Sequence, residues 1–311
     1  MLGLKNQEVY RKVFNSFDTE ILCYIDNYRK ESHRFYHNWN HIKDMVFLAD
    51  EYNTLTEDLL LAILFHDIIY DPKKTDNEEQ SAELFKKFFP EKTDVYNAIL
   101  ETKTHIATTD LSYQLNQLDL KILSSGLNNF MYFEDKIFKE YQFVDYKIYK
   151  EKRIEILEKI NARSSFIEYV KTRKPKIAIY VGSFNPFHKG HFNILEKAEQ
   201  IFDKVIIARG VNPEKNNEYV KLPDSLQYRQ IETYSGLLTD FIDSLGYDVT
   251  LIRGLRNVDD FKYEQTQYRF LKDLKPDLKI VNIFSDIEYE HISSSAIRIL
   301  SKYGKETKYL L

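Results

Sequence analysis

The chain is expected to fold as two domains, an all-α unit followed by a doubly wound α/β unit with a parallel sheet. Three observations carry this expectation. Its 311 residues exceed one ordinary domain. Of nine glycines, only Gly3 and Gly126 precede residue 176, and a Glu/Lys/Leu-rich stretch with so few chain breakers favours helices. After residue 176, apolar β-branched runs, glycine turns and periodic segments alternate, as strands joined by helices do. The division is placed at 1–170 for the helical domain, Lys171–Pro175 for a basic, proline-closed linker, and 176–311 for the α/β domain.

Composition restricts the setting. A formal charge of −4 and a pI near 6.1 argue against nucleic acid or an anionic membrane as an obligatory partner. The single cysteine, Cys23, leaves no intramolecular disulfide and suits a reducing cytoplasm. No signal peptide is evident, and Leu59–Phe65 is too short an apolar run to span a bilayer.

In the first half, RFYHNWNHI sets His37 and His41 four apart, on one face of a helix beginning near Asn38. Next comes the apolar run Leu59–Tyr70, expected as one helix with the pair His66-Asp67 in its middle. An unpaired buried carboxylate costs several kcal/mol, roughly, even after relaxation, and a divalent metal is the simplest compensator. The segments DPKKTDNEEQSAE, ETKTH (ending at His105) and LDLKIL (containing Asp119) follow. Glu151–Val170 reads as one periodic helix. His33 and His291 are assigned to the surface, Trp39 to the core or its rim, and the charge runs 76–83 and 147–159 to solvated helix faces.

The second half opens with the strand Lys176–Val181, which runs into GSFNPFHKGH, from Gly182 to His191. A strand, a glycine turn and a helix start make a phosphate site, because the first N–H groups of the helix and its positive dipole end face the turn. His188 and His191 would project toward that anion. In LIRGLRNVDDFKYE a short strand is followed by a turn with Arg253 and Arg256 on either side of Gly254, then a helix from near Asp259. Guanidinium forks bind phosphate oxygens bidentately. In ISSSAIR the three serines cap a last helix and, with Arg298, would form a second anion cradle. Two cradles suit a polyphosphate.

On these residues, Lys176 to Leu311 resembles the phosphopantetheine adenylyltransferases of the HxGH nucleotidyltransferase superfamily. The resemblance implies a Rossmann-like domain that transfers an adenylyl group from ATP to 4′-phosphopantetheine with Mg²⁺, yielding dephospho-coenzyme A and pyrophosphate. It assigns catalysis to His191, Lys215, Arg253 and Ser294. ATP binding would fall to Gly182, Ser183, Phe184, His188, His191, Arg256, Glu264 and Ser293–Ser295. The acceptor would meet Ser183, Lys215, Leu237, Leu238 and Arg253, with Tyr234–Leu238 as its loop. Two features depart from the family pattern. Asn185 stands where the family usually has aspartate, and the stretch from Lys215 to Tyr234 is shorter. GSFNPFHKGH is also similar to the nicotinate and nicotinamide mononucleotide adenylyltransferases, whose acceptor is the alternative.

Residues 30 to 145 resemble the compact metal-dependent phosphohydrolases of the HD superfamily. That resemblance implies His41, His66, Asp67 and Asp119 as ligands of Mn²⁺, Fe²⁺, Co²⁺ or Zn²⁺, with His37, Glu78 and His105 around them. The expected whole is a bifunctional cytoplasmic enzyme that forms homo-oligomers, acting on ATP and a phosphorylated small molecule. A nucleotide-sensing regulator that binds at both sites without turnover is the reading of another class.

Overall fold

The computed structural model describes residues 4–211 and 221–311. Its chain divides into two compact units, Met1–Glu140 with Ile156–Tyr169, and Tyr141–Glu155 with Val170–Leu311. Among the described residues no helix is long and apolar enough to cross a membrane.

The first unit is helical. Its elements are α1 (Leu4–Asn15), α2 (Thr19–Lys30), α3 (Trp39–Glu51), α4 (Glu57–Phe65), α5 (Asn77–Phe88), α6 (Thr93–Glu101), α7 (Asp110–Asp119) and α8 (Leu127–Glu140). Two more, α9 (Tyr146–Lys159) and α10 (Ser164–Thr172), follow and are divided between the units, residues up to 155 and from 170 falling in the second. α4 is the core element: every residue from Leu59 to Phe65 is buried, with α1, α3, α6 and α7 packed around it. A helix apolar on all sides can only be central. Thr56 starts it by accepting the Leu59 N–H.

Of three expectations about helix limits, two are corrected, and the start of α3 near Asn38 is as expected. α4 stops at Phe65, so His66-Asp67 lies just beyond its end and not in mid-helix. Just past that end the buried Arg34 guanidinium donates to the carbonyls of Asp67 (2.6 Å) and Ile68 (3.0 Å), which satisfies the turn. α3 starts at Trp39 with Asn38 as its cap, so His37 precedes the helix whose first turn carries His41. The segment 151–170 is two helices, because Asn161 turns left-handed (φ +52°) and the Ala162 N–H closes back on Leu157 O at 2.9 Å.

The second unit holds β1 (Ile177–Gly182), α11 (Lys189–Ile201), β2 (Lys204–Gly210), β3 (Ile231–Tyr234), α12 (Leu238–Leu245), β4 (Thr250–Leu255), α13 (Val258–Leu274), β5 (Lys279–Phe284) and α14 (Ser294–Ser301). The strands form one parallel sheet in the order β3-β2-β1-β4-β5. The chain moves outward from β1 through β2 to β3, then returns to the other side of β1 for β4 and β5. That reversal opens a crevice beyond the carboxyl ends of β1 and β4, where open α/β sheets hold ligands.

Residues 141–155, read in the sequence as part of the helical region, group with this second unit. Lys204, buried at the start of β2, donates to Gln142 O and Val144 O (2.9 Å), and burial lowers its pKa to about 7. Tyr146 Oη donates to Arg173 O (2.8 Å) and Tyr247 Oη to Asp145 Oδ2 (2.7 Å). These contacts join positions far apart in sequence, which composition alone does not reveal.

Candidate functional site

The turn after β1 is built around Phe184. This residue takes a left-handed backbone (φ +47°), and its ring folds back over Gly182, where a β-carbon would lie 2.7 Å from the ring edge. The turn therefore requires glycine at 182. His188 then caps α11: its Nδ1 accepts the His191 N–H at 3.3 Å, while His191 Nδ1 accepts the His188 N–H at 3.3 Å. A ring nitrogen that accepts carries no proton, so both imidazoles hold theirs on Nε2. The rings stack 3.6 Å apart. Burial and the Arg256 charge lower His188 to about 4, while burial, His188 and Arg256 hold His191 well below the usual range. Two neutral Nε2–H donors thus stand at the amino end of α11.

A cleft of about 390 Å³ lies over these rings. The expected nucleotide residues Gly182, Ser183, Phe184, His188, His191, Arg256, Glu264 and Ser293–Ser295 all line it, as does Arg253, expected in catalysis and at the acceptor. Ser293 caps α14 by accepting the Ala296 N–H at 3.1 Å, so a second helix amino end faces the same space. The motifs interlock, with Ser294 Oγ donating to Pro186 O (3.0 Å) and Arg256 Nη1 to Ile292 O (3.2 Å). Arg298 instead ties to Asn185 O and Ser295 Oγ and does not line the cleft, which corrects its expected place in the second cradle. Lys215 lies outside the described residues.

Each cleft arginine is paired with a carboxylate. Arg253 forks onto Glu264 (Nε–Oε2 2.5 Å, Nη2–Oε1 2.7 Å), and Arg256 forks onto Asp260 (Nε–Oδ2 2.8 Å, Nη2–Oδ1 2.9 Å). Asp260 was missed, although its i+4 spacing from Arg256 is a readable signal. Arg253 also lines a neighbouring cavity of about 480 Å³ with Tyr234, Gly236, Leu237, Leu238, Phe270 and Leu274 among its walls. The expected acceptor loop therefore borders a largely apolar space that shares one arginine with the cleft.

In the helical unit, the residues expected as ligands converge. His41 Nε2 lies 3.2 Å from Asp119 Oδ1 and 3.3 Å from His66 Nε2, and His66 Nε2 lies 2.9 Å from Asp67 Oδ2. The ligand atoms of His41, His66 and Asp119 fall within 4.8 Å of one another. His66 Nδ1 donates to Ile63 O at 2.9 Å, which aims Nε2 at the cluster. Burial would lower the His66 pKa, but the Asp67 carboxylate lifts it to about 9. The two imidazole nitrogens and the Asp119 carboxylate thus face one point, with the Asp67 carboxylate against His66, and this donor set fits a divalent transition metal.

His105, in a left-handed conformation (φ +54°), places Nε2 3.3 Å from Asp119 Oδ2. Glu78 sits in the first turn of α5, raised above its usual pKa by burial and by Asp67. His37 is held by Glu140, a fully buried carboxylate missed in the sequence because nothing nearby marks it. Its oxygens accept from Tyr36 N (2.6 Å), His37 N (2.9 Å), His37 Nδ1 (2.6 Å) and Tyr70 Oη (2.7 Å).

Comparison with known proteins bears on the second unit. The Cytidylyltransferase-like family profile matches residues 179–299. A phosphopantetheine adenylyltransferase of Clostridium tetani is 34% identical over 137 residues, covering 41% of this chain and 85% of that protein. One from Mycoplasma capricolum is 39% identical over 145 residues, covering 42% of this chain and 99% of that protein. A solved structure from Francisella tularensis, a bifunctional NMN adenylyltransferase/ADP ribose pyrophosphatase complexed with AMP and a Mn ion, aligns at a TM-score of 0.31 and 18% identity over 44% of each chain. Through its C-terminal half the chain belongs to the cytidylyltransferase-like nucleotidyltransferases, as a homologue of the phosphopantetheine adenylyltransferases.

Proposed function

We propose that the second unit transfers an adenylyl group from ATP to 4′-phosphopantetheine, releasing pyrophosphate and forming dephospho-coenzyme A. The observation that carries this reading is the pairing of cleft and cavity. Two helix amino ends and two neutral histidines line a space suited to a polyphosphate, and Arg253 belongs also to an apolar cavity suited to an acceptor with a long, weakly polar arm. The named relatives support the same acceptor.

The acceptor's phosphate oxygen attacks the α-phosphorus of ATP in line. One P–O bond forms, the bond to the bridging oxygen breaks, and pyrophosphate leaves with the electron pair. The attacking oxygen is already anionic, so no general base is needed. Catalysis rests on alignment and on donors aimed at the charge that develops. His191 Nε2–H would donate to the α-phosphate, and the serine turn with α14 would hold the departing pyrophosphate. Mg²⁺ bound with ATP supplies charge neutralisation. Mass analysis of the product formed from ATP and 4′-phosphopantetheine tests the assignment; a product of unchanged acceptor mass would refute it.

We further propose that the helical unit is a metal-dependent phosphohydrolase, with His41, His66, Asp67 and Asp119 holding the metal. When bound, such a metal lowers the pKa of water and polarises a phosphate oxygen. The chain's own part is to keep His66 aimed through Ile63 O, Asp119 braced by His105, and His37 fixed by Glu140 at the edge of the cluster. Inorganic phosphate release from a panel of phosphate esters and nucleotides with Mn²⁺, lost in Asp67→Ala, is the test. Release that persists unchanged in that variant would refute it.

A further inference from the structure

We infer that Asp260 is a positioning residue for nucleotide binding, acting through Arg256. The inference rests on the adenylyltransferase reading of the cleft. Arg256 and Asp260 both line that cleft, one at the end of β4 and one in the first turn of α13.

Asp260 grips Arg256 three times: Oδ2 accepts from the Arg256 backbone N–H (3.0 Å) and from Nε (2.8 Å), and Oδ1 accepts from Nη2 (2.9 Å). Nη1 reaches across to Ile292 O (3.2 Å), the carbonyl just before the capping Ser293. A guanidinium carries five N–H groups. Asp260 occupies the side-on fork and Ile292 takes one N–H of Nη1. One N–H on each terminal nitrogen therefore remains for a ligand. The carboxylate thus fixes the guanidinium plane and leaves its end-on fork for a phosphate. Arg256 in turn sets the spacing between the turn after β4 and the serine cap of α14. Asparagine cannot receive both N–H groups on paired oxygens, so it would release the fork while preserving shape.

The test is ATP affinity by calorimetry on the intact chain, for wild type, Asp260→Asn, Arg256→Ala and the double variant. Asp260→Asn is expected to weaken ATP binding about tenfold, as loss of a charge-assisted hydrogen bond does. In the Arg256→Ala background the same change should add nothing. Asp260 also sits at the amino end of α13, and a merely structural role there would lower thermal stability and weaken ATP equally in both backgrounds. That equality, or an unchanged affinity in Asp260→Asn, would overturn the inference. Binding is read without acceptor. A wild-type chain that binds ATP yet transfers nothing therefore removes the transferase reading alone, whereas one that fails to bind ATP removes both.

Discussion

His188 and His191 cap one another: each Nδ1 accepts the other's backbone N–H at 3.3 Å, which leaves both protons on Nε2. Protonating either Nδ1 would break the cap of α11. Burial and Arg256 keep His188 near a pKa of about 4, below its value of roughly 6.5 in an unfolded chain. The unfolded state therefore binds more protons between these values, so folding stability is present above about pH 6.5 and is lost as pH falls toward 4. Asparagine also caps helices well. In denaturant titrations, wild type should lose up to about 3 kcal/mol relative to His188→Asn between pH 7 and pH 4. A constant difference across that range would contradict the account.

Arg253 is held by Glu264 and faces both cleft and cavity. A lysine keeps the charge but not the fork. Arg253→Lys should raise the KM for 4′-phosphopantetheine about tenfold and leave that for ATP within roughly threefold. A rise in the KM for ATP with that for 4′-phosphopantetheine unchanged would contradict this and place Arg253 at the nucleotide alone.

The clustered ligands predict metal stoichiometry directly. Wild type prepared with Mn²⁺ and desalted should retain about one ion per chain by elemental analysis, and Asp119→Ala or His66→Ala less than about a tenth of that. Equal metal content in wild type and variants would remove the metal assignment. The apolar core offers a separate check, because Leu60 is fully buried in α4. Leu60→Ala should destabilise the helical unit by about 2–5 kcal/mol; a loss near zero would contradict the central place of α4.

Local signals made much of this molecule legible. Strand, glycine turn and capped helix stand together in Gly182–His191 and in Ser293–Ser295, and backbone geometry turns such strings into sites with little help from elsewhere. The parts that escaped depend on distant partners. Glu140 reaches His37 from the end of α8, and Arg34 donates to the carbonyls of Asp67 and Ile68 just past the end of α4. Lys204 gathers residues 142 and 144 from a stretch whose composition matches the helices before it. Single buried side chains that satisfy remote backbone leave no periodic trace. Asp260 is the intermediate case: its spacing from Arg256 was readable, yet only the structure shows that the aspartate occupies the arginine's side-on fork.

Pyrophosphate release from ATP and Mg²⁺, with 4′-phosphopantetheine, nicotinate mononucleotide or nicotinamide mononucleotide as acceptor, tests the central claim most directly. The account predicts release with 4′-phosphopantetheine alone, falling at least about a hundredfold in His191→Ala while thermal stability changes little. Release with a pyridine mononucleotide, or a rate indifferent to His191, would contradict it.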